Sequence, residues 1–343
     1  MIDEKQVRDL LSQVPYPGFT RDIISFGIVK AISVGAEIRV QLVVSTNDTG
    51  VGAKLRSGVE QALSQLPGKP PITVLVDVQA PVQASGQGPS SIEGVRHVIA
   101  VASGKGGVGK STVAVNLAAA FAAKGLKTAI CDCDLYGPSI ALMCGTSERP
   151  YADEAGKIIP VESHGLKIMS LGLMLEDDSP AILRGPMVTR YTQQFLRDVA
   201  WGDLDVLVLD LPPGTGDIQL TIVQTVGLSG AVIVTTPQEV ALIDARKAVT
   251  MFRKTNVPIL GIIENMAGFI APDGSRHEIF GSGGGARESE RLQVPFLGSL
   301  PLDPAVGIAA DSGFPIVLKD ARNPTSEKIS AIAEELRQRI LQS

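Results

Sequence analysis

The sequence predicts a doubly wound α/β domain with a mostly parallel sheet, preceded by a small α+β domain. Two observations support this prediction. From residue 95 onward, unbroken apolar runs alternate with helical patterns, as in parallel strands that helices cover on both faces. Before that point, short strand and helix patterns precede a stretch rich in Gln, Pro, Gly and Ser. We therefore predict a small domain over residues 1–78, a flexible linker over 79–94 and the larger domain over 95–343.

The small domain carries two helical patterns and three strand patterns. A short helix is predicted over 3–13 and an amphipathic helix over 51–66. Strands are predicted over 23–32, 37–45 and 72–78, the second with strict apolar alternation. This order predicts helices packed on one small sheet.

The larger domain repeats strand and helix signals along its whole length. Its strands are predicted at 98–103, 128–132, 167–171, 206–211, 231–235, 259–264 and 296–299, and its main helices at 113–124, 185–199, 217–226, 239–255 and 326–342. The last helix has one apolar face, mixed charges and no bulky aromatic residue, which favours docking on the domain core over binding to a membrane. In such folds, ligands bind at the carboxyl ends of the strands.

The strongest functional motif is a glycine-rich segment between the first strand and the first helix of the larger domain. It fits the phosphate-binding pattern G-x-x-x-x-G-K-[ST], in which backbone N–H groups surround phosphate oxygens. In that pattern Lys110 reaches the β- and γ-phosphates, and the Ser111 hydroxyl binds Mg²⁺. We therefore predict ATP and Mg²⁺ as ligands and nucleotide contacts from Gly104, Lys105, Gly106, Gly107, Val108, Gly109, Lys110, Ser111 and Thr112.

A second lysine, Lys105, directly follows the first glycine of this motif. One lysine suffices for a site within one subunit. At this position the second lysine is placed to reach the phosphates of a neighbouring subunit, as an arginine finger does. The alternative is a solvated lysine of the loop.

Two aspartates and two cysteines alternate over 131–134, where the second strand of the larger domain ends. Because side chains alternate along a strand, Asp132 and Asp134 share one face and the cysteines share the other. Beside a phosphate loop, Asp132 is a candidate metal ligand and Asp134 a candidate to orient or deprotonate the attacking water. The alternative is a pair of solvated carboxylates. Cys131 and Cys133, like Cys144, are interpreted as buried structural thiols.

A third acidic residue, Asp210, ends an apolar strand and precedes the bent segment Leu-Pro-Pro-Gly-Thr-Gly. A carboxylate in this place suits Mg²⁺ or a water bound to it. The segment that follows is placed to sense the γ-phosphate, unless it is an ordinary turn between strand and helix. Asn265 follows another strand and is either a hydrogen-bond partner of a purine edge or a turn residue.

Composition excludes several classes of function. The net charge of −5 and the aromatic share of 4% argue against a general nucleic-acid surface. No run of about 18 apolar residues occurs, and the first residues lack a signal-peptide core. Three cysteines suit a reducing cytoplasm. We expect a cytoplasmic protein without nucleic-acid or membrane partners.

The motifs together resemble those of the Mrp (ApbC-like) ATP-binding proteins, which are deviant Walker ATPases of the MinD/ParA type. The small domain is similar to one that precedes the ATPase in many Mrp proteins and recurs in iron–sulfur assembly factors. The resemblance rests on the double-lysine loop and on DCDLYGPS at 132–139, RGPMV at 184–188, WGDLDVLVLDLPPGTGD at 201–217, TTPQEVALIDARKA at 235–248, ENM at 264–266, IFGSGGG at 279–285 and LGSLPLDP at 297–304.

This resemblance implies a homodimer with two facing ATP sites. It also implies that ATP turnover gates the transfer of iron–sulfur clusters to apoproteins, with apo iron–sulfur proteins or assembly factors as partners. The roles it implies are the signature lysine for Lys105, phosphate binding for Lys110, Mg²⁺ binding for Ser111, the switch aspartates for Asp134 and Asp210, and adenine contact for Asn265.

The sequence departs from the family in one respect. Many members carry a C-P-x-C pair shortly after the ENM motif, and these cysteines bridge a [4Fe–4S] cluster across the dimer. Ala271 and Gly274 stand at these two positions, and neither can replace a thiolate. Asp273 and His277 are weaker candidates. The sequence therefore leaves three possibilities: the three cysteines bind a cluster, a partner's thiols bind it, or no cluster is bound.

The leading hypothesis is a Mg²⁺-dependent ATPase that supports iron–sulfur protein maturation. An alternative is an ATP-switched dimeric scaffold or positioning protein of the MinD/ParA type, without cluster chemistry. An electron-transferring protein like nitrogenase reductase would need bridging cysteines at the dimer face, and the predicted placement of Cys131 and Cys133 argues against it.

Overall fold

The chain divides into two compact units, Met1–Gln87 and Gly88–Ser343. The computed structural model describes residues 2–15, 22–24, 28–35, 37–45, 49–68, 70–79, 89–134, 137–154, 156–170, 173, 195–271 and 273–341.

The first unit packs two helices against a three-stranded sheet. Its elements are α1 (Glu4–Leu11), β1 (Val29–Val34), β2 (Ile38–Ser45), α2 (Thr49–Leu63) and β3 (Ile72–Gln79). The strand order is β1-β2-β3, with β1 antiparallel and β3 parallel to the central strand. Helix α1 begins with a capping box, in which Asp3 Oδ1 accepts from the Gln6 backbone N–H at 2.8 Å and the Gln6 side chain accepts in return.

Alternation along β2 builds the core of this unit. Ile38, Val40 and Leu42 are each at most 1% exposed and belong to the same apolar cluster as the buried side chains of α2. The strand predicted over 23–32 is wrong at its start, because β1 begins only at Val29. Ile23 is fully buried but lies in a turn, where its backbone N–H donates to the Val14 carbonyl at 2.9 Å.

The second unit is built on an eight-stranded sheet in the order β15-β12-β11-β4-β10-β5-β9-β8. All neighbouring pairs are parallel except β8 with β9. The strands of this unit are β4 (Val95–Ala102), β5 (Thr128–Asp132), β6 (Tyr151–Ala152), β7 (Ile158–Ile159), β8 (Val161–Ser163), β9 (Leu166–Met169), β10 (Leu204–Asp210), β11 (Gly230–Thr235), β12 (Ile259–Glu264), β13 (Phe269–Ile270), β14 (Arg276–His277) and β15 (Phe296–Ser299). Of these, β6 with β7 and β13 with β14 form two separate two-stranded sheets.

The helices of this unit lie between the strands. They are α3 (Lys110–Ala123), α4 (Ile140–Met143), α5 (Asp217–Thr225), α6 (Glu239–Lys254), α7 (Gly284–Leu292), α8 (Pro304–Asp311), α9 (Ile316–Lys319) and α10 (Pro324–Leu341). The first ten residues of the helix predicted over 185–199 lie outside the described residues.

Helices cover both faces of the sheet, so the predicted doubly wound, mostly parallel α/β fold is confirmed. Alternate residues of β4 enter two different apolar layers: Ile99 and Val101 pack with α3 and α10, whereas Val98 and Ala100 pack with α5 and α6. Docking of the last helix on the core is also confirmed, because Ile329, Ile332, Leu336 and Ile340 are at most 4% exposed.

The predicted linker is structured at both ends. Gln79 belongs to β3, and the Ser90 backbone N–H donates to the Thr225 carbonyl at 3.1 Å within the larger unit. Among the described helices, none is long and apolar enough to cross a membrane.

Candidate nucleotide-binding site

The glycines of the segment between β4 and α3 serve two different purposes. Gly107 and Gly109 have φ of +78°, a conformation that side chains strongly disfavour. A Cβ atom on Gly106 or Gly107 would meet nothing within 4 Å, so this side of the loop is open. A Cβ atom on Gly104 would instead lie 2.1 Å from the backbone carbonyl carbon of Asp244 in α6. Gly104 therefore allows close packing, whereas Gly106 and Gly107 leave room for a ligand.

Lys110 opens α3 and lies almost entirely inside the protein. Its side chain is 6% exposed, and its Nζ lies 2.6 Å from Asp210 Oδ1 at the end of β10. The same ammonium group is 3.1 Å from Ser111 Oγ. Because α3 follows the loop directly, the free N–H groups of its first turn also face the open side of the loop. The structure thus brings the three predicted residues Lys110, Ser111 and Asp210 together.

Asp210 is fully buried beside this lysine. Burial raises the pKa of its carboxyl group, and the charge of Lys110 opposes that rise. Asp210 Oδ2 is buried and has no hydrogen-bond partner within the described part of the chain. An unpartnered buried carboxylate oxygen next to a serine hydroxyl is an acceptor pair of the hard type that Mg²⁺ prefers.

Asp132, at the end of the neighbouring strand β5, is also fully buried but its oxygens are already hydrogen-bonded. Burial, followed by the nearby charge of Asp210, raises the pKa of Asp132 to about 7. Four donors within 3.3 Å reach its carboxylate: the backbone N–H groups of Asp134, Ser139 and Ile140, and the hydroxyl of Ser170. The side chain therefore fixes the turn that leads into α4.

Asp134 is partly exposed at the start of this turn, and its negative charge contributes to the raised pKa of Asp210. The cysteines face the other way, as predicted. Cys131 and Cys133 are at most 1% exposed within an apolar layer, with sulfur atoms 3.9 Å apart, and Cys144 is fully buried elsewhere. Burial raises the pKa of Cys144 to about 12.

The segment after Asp210 is hydrogen-bonded to β4 and to the residue that precedes the phosphate loop. Leu211 N–H donates to the Val101 carbonyl and Gly214 N–H to the Ser103 carbonyl, both at 3.0 Å. Gln219 in α5 is 1% exposed and donates its amide to the Pro212 carbonyl. Sequence reasoning missed Gln219; its only signal is a polar residue among the apolar positions of an amphipathic helix.

Lys105 is placed in the loop by its backbone. Its carbonyl accepts a hydrogen bond from Ser103 Oγ at 2.8 Å. Within the described residues, its side chain makes no ion pair, and it is partly exposed. The ammonium group is therefore available to a ligand outside this subunit's own contacts.

Asn265 connects the phosphate loop to an apolar pocket. Its side-chain amide donates to the Val108 carbonyl at 2.9 Å, and its backbone N–H donates to the Thr235 carbonyl at 2.8 Å. The pocket has a volume of about 440 Å³ and starts at the first turn of α3, at Gly109, Thr112 and Val113. It continues between the segment after Asn265 and the segment 300–307.

Glu264, the residue before this asparagine, organises the glycine-rich segment ahead of α7. Its buried carboxylate accepts from the backbone N–H groups of Gly283, at 2.8 Å, and Gly285, and from Ser299 Oγ at 3.3 Å. A Cβ atom on Gly285 would lie 2.8 Å from Glu264 Cβ, so the contact requires glycine. Sequence reasoning did not assign this role, although the ENM and GSGGG motifs mark both partners.

Two family models match this chain. The model described as NUBPL iron-transfer P-loop NTPase matches residues 94–337, which contain the whole site above. The model described as iron–sulfur cluster assembly protein matches residues 4–76, within the first unit.

Similar full-length proteins point the same way. The iron–sulfur cluster carrier protein of Deinococcus radiodurans is 44% identical over 95% of this chain and 92% of its own length. The protein of the same name from Aquifex aeolicus is 44% identical over 91% of both chains.

Solved structures share the fold of the larger unit. A nucleotide-binding protein of Archaeoglobus fulgidus in complex with ADP has a TM-score of 0.58 and 38% identity, covering 64% of this chain and 88% of its own. The cell-division ATPase MinD of Pyrococcus furiosus has a TM-score of 0.55 at 21% identity, covering 71% of this chain and 99% of its own, and shows likeness of fold alone. With both of its units matched and its phosphate loop intact, the chain belongs to the family of NUBPL-type iron-transfer P-loop NTPases.

Proposed function

We propose that this chain is a cytoplasmic, homodimeric, Mg²⁺-dependent ATPase that transfers iron–sulfur clusters to apoproteins. One observation carries the proposal: the buried Lys110–Asp210 pair at an open phosphate loop, in a chain 44% identical to an iron–sulfur cluster carrier protein over 95% of its length. The other groups of the site take roles that agree with it.

The nucleotide is held at two places. The loop 104–109 and the first turn of α3 present backbone N–H groups to the phosphates. The apolar pocket beyond Asn265 takes the base, and its volume of about 440 Å³ lies in the range of small-molecule sites. Asn265 stands between the two, which supports its predicted role at the adenine.

A bound triphosphate competes with Asp210 for Lys110, because both are anionic partners of one ammonium group. Transfer of Lys110 to the phosphates leaves the Asp210 carboxylate without its counter-ion. Ser111 and Asp210 would then hold Mg²⁺, which neutralises phosphate charge when it is bound. The sequence also predicts Asp132 as a metal ligand, and that prediction is untested. Its oxygens accept hydrogen bonds from Asp134, Ser139 and Ser170, so we propose that it holds the backbone beside the site.

Hydrolysis needs an oriented water and compensation of the charge that develops on the phosphates. We assign the orientation of the water to Asp134, which is partly exposed and whose charge contributes to the raised pKa of Asp210. Lys105 supplies its charge to the site of the partner subunit. This assignment follows from its position beside the open side of the loop and from its lack of an ion pair in the described part of its own chain.

The cluster is cargo, and this chain offers few ligands for it. All three cysteines are buried, and Ala271 and Gly274 stand where relatives of the Mrp type carry the C-P-x-C pair. Among the described residues, no group of three or more His, Cys, Asp or Glu side chains is arranged to hold a metal ion. We therefore propose that thiols of a partner protein supply the cluster ligands that this chain lacks.

Anaerobic reconstitution with iron and sulfide tests this function. The chain alone should retain no stoichiometric cluster by absorbance and iron counting. With a thiol-bearing cluster donor, it should accelerate transfer to an apo-acceptor in the presence of Mg²⁺ and ATP. The matched control is Lys110→Gln, which keeps a donor for Asp210 but should not stimulate transfer. Transfer that is unaffected by the protein would contradict the carrier function.

The scaffold alternative predicts ATP-dependent dimers without any effect on cluster transfer. It is not favoured, because the similarity to MinD is 21% and shows the fold alone, whereas two full-length relatives are iron–sulfur cluster carrier proteins.

A further inference from the structure

Gln219 is a polar side chain in an apolar part of the larger unit. It lies in α5 and is 1% exposed, and Ile222 and Val223 on the same face of the helix are equally buried within the apolar layer on that side of the sheet. Burial of an amide costs free energy unless its atoms are hydrogen-bonded, whereas an apolar side chain of the same length would pack there without this cost. The packing of α5 therefore does not explain a glutamine at this position.

The nitrogen and the oxygen of this amide have different surroundings. The nitrogen donates to the carbonyl of Pro212, which lies two residues after Asp210. The oxygen is buried and has no hydrogen-bond partner among the described residues. The buried amide thus holds the segment that follows Asp210.

This segment has few other groups by which it can be held. Pro212 and Pro213 carry no backbone N–H, and a Cβ atom on Gly214 would meet nothing within 4 Å. The Gly214 N–H ties the segment to the residue that precedes the phosphate loop, because it donates to the Ser103 carbonyl at 3.0 Å. Two residues earlier, the Gln219 amide holds the Pro212 carbonyl in place.

Ser103 connects this segment to the lysine that we assign to the partner's site. The serine is fully buried, and its Oγ donates to the Lys105 carbonyl at 2.8 Å. The Pro212 carbonyl and Gly214 lie on one short segment, so a shift of the first displaces the second. Through Ser103 the same shift reaches the backbone of Lys105.

We propose that Gln219 is a positioning residue for ATP hydrolysis, which fixes the Pro212 carbonyl and, through Ser103, sets the backbone of Lys105. This inference rests on the proposed ATPase function and adds a residue that acts in it from inside the protein. Gln219 is buried and lies outside the apolar pocket and the loop 104–109. Its loss therefore slows hydrolysis and leaves the affinity for the nucleotide unchanged.

Steady-state kinetics on the full chain test this role. Gln219→Met removes the amide but keeps the length of the side chain. It should lower kcat about fivefold, as for the loss of one neutral hydrogen bond in the transition state, and leave KM for ATP and the affinity for ADP unchanged. Gln224→Met, the same substitution at an exposed position of the same helix, should change none of these values.

The melting temperature of Gln219→Met separates positioning from folding. It should stay close to that of the wild type, because the substitution removes one unpartnered acceptor at residue 219 and leaves another at Pro212. Wild-type kcat in Gln219→Met would overturn the inference and leave the proposed function intact. A lower kcat together with a lower melting temperature or weaker ADP binding would also overturn it, because the role would then be structural. A wild-type chain that hydrolyses no ATP would overturn both.

A double-mutant cycle tests the connection through Ser103. Ser103→Ala removes the hydroxyl that holds the Lys105 carbonyl. If Gln219 acts through this serine, Gln219→Met should lower kcat much less in the Ser103→Ala background than in the wild type. An equal loss of kcat in both backgrounds would overturn the connection to Lys105.

Discussion

At the scale of single residues, the Lys110–Asp210 ion pair lies almost wholly out of water, with side chains 6% and 0% exposed. Removal of one partner from a buried pair leaves an uncompensated charge and typically costs about 3–5 kcal/mol. Lys110→Met should therefore abolish ATP hydrolysis and also lower the free energy of unfolding by an amount of this order. Denaturant unfolding and phosphate release measure the two effects.

The double variant Lys110→Met/Asp210→Asn serves as the control for this pair. Because it removes both charges, it should recover most of the lost stability but no activity. If Lys110→Met unfolds at the same denaturant concentration as the wild type, the buried pair is not a stabilising contact. Retained hydrolysis would refute the site.

The three cysteines give a second residue-scale prediction. The pKa of Cys144 is raised to about 12 by burial, and that of Cys133 is raised by its hydrogen bond with Cys131 and by burial. A raised pKa keeps a thiol protonated at a pH of about 8, close to the ordinary pKa of a free cysteine. Cys131 is fully buried as well. Because burial keeps a thiol reagent away from all three side chains, it should label no cysteine in the native protein and all three in denaturant. Rapid native labelling at any of them would reopen an intrinsic cluster site.

At the scale of elements, different glycines of the phosphate loop serve packing and ligand binding. Gly104→Ala places a Cβ atom 2.1 Å from the Asp244 backbone, whereas Gly106→Ala meets nothing within 4 Å. We expect Gly104→Ala to lower both thermal stability and nucleotide affinity. Gly106→Ala should unfold like the wild type and lose affinity alone. Equal melting temperatures for the two variants would show that the loop does not depend on the contact with α6.

Sequence patterns predicted the long elements better than the short ones. The bounds of β5 and β12 agree with their apolar runs, because parallel strands buried on both faces leave an unbroken signal. The hairpins β6–β7 and β13–β14 were missed, since strands of two residues carry no periodicity. The start of β1 was misplaced because a residue buried from a turn, Ile23, is as apolar as a strand residue.

At the scale of the whole molecule, the motifs indicated the chemistry but not the pocket. The phosphate loop is local in sequence, so its residues could be assigned directly. The pocket that we propose for the base combines the start of α3 with Asn265, Ile279 and the segment 300–307, which only the sheet order brings together. The burial of Lys110 could not be predicted from the sequence either. It depends on Asp210, which ends β10, and β10 pairs with β4, the strand that precedes the phosphate loop.

The central claim is that Lys105 acts in the ATP site of the partner subunit. Mixing two inactive variants tests this claim most directly. Lys105→Ala removes the lysine offered to the partner, and Lys110→Gln removes the phosphate lysine while keeping a donor for Asp210. A mixed dimer has one complete site only if Lys105 acts across the interface. We predict that each variant alone is nearly inactive and that the mixture recovers up to about a quarter of wild-type ATP hydrolysis, as random pairing allows. A mixture as inactive as its components would contradict action in trans.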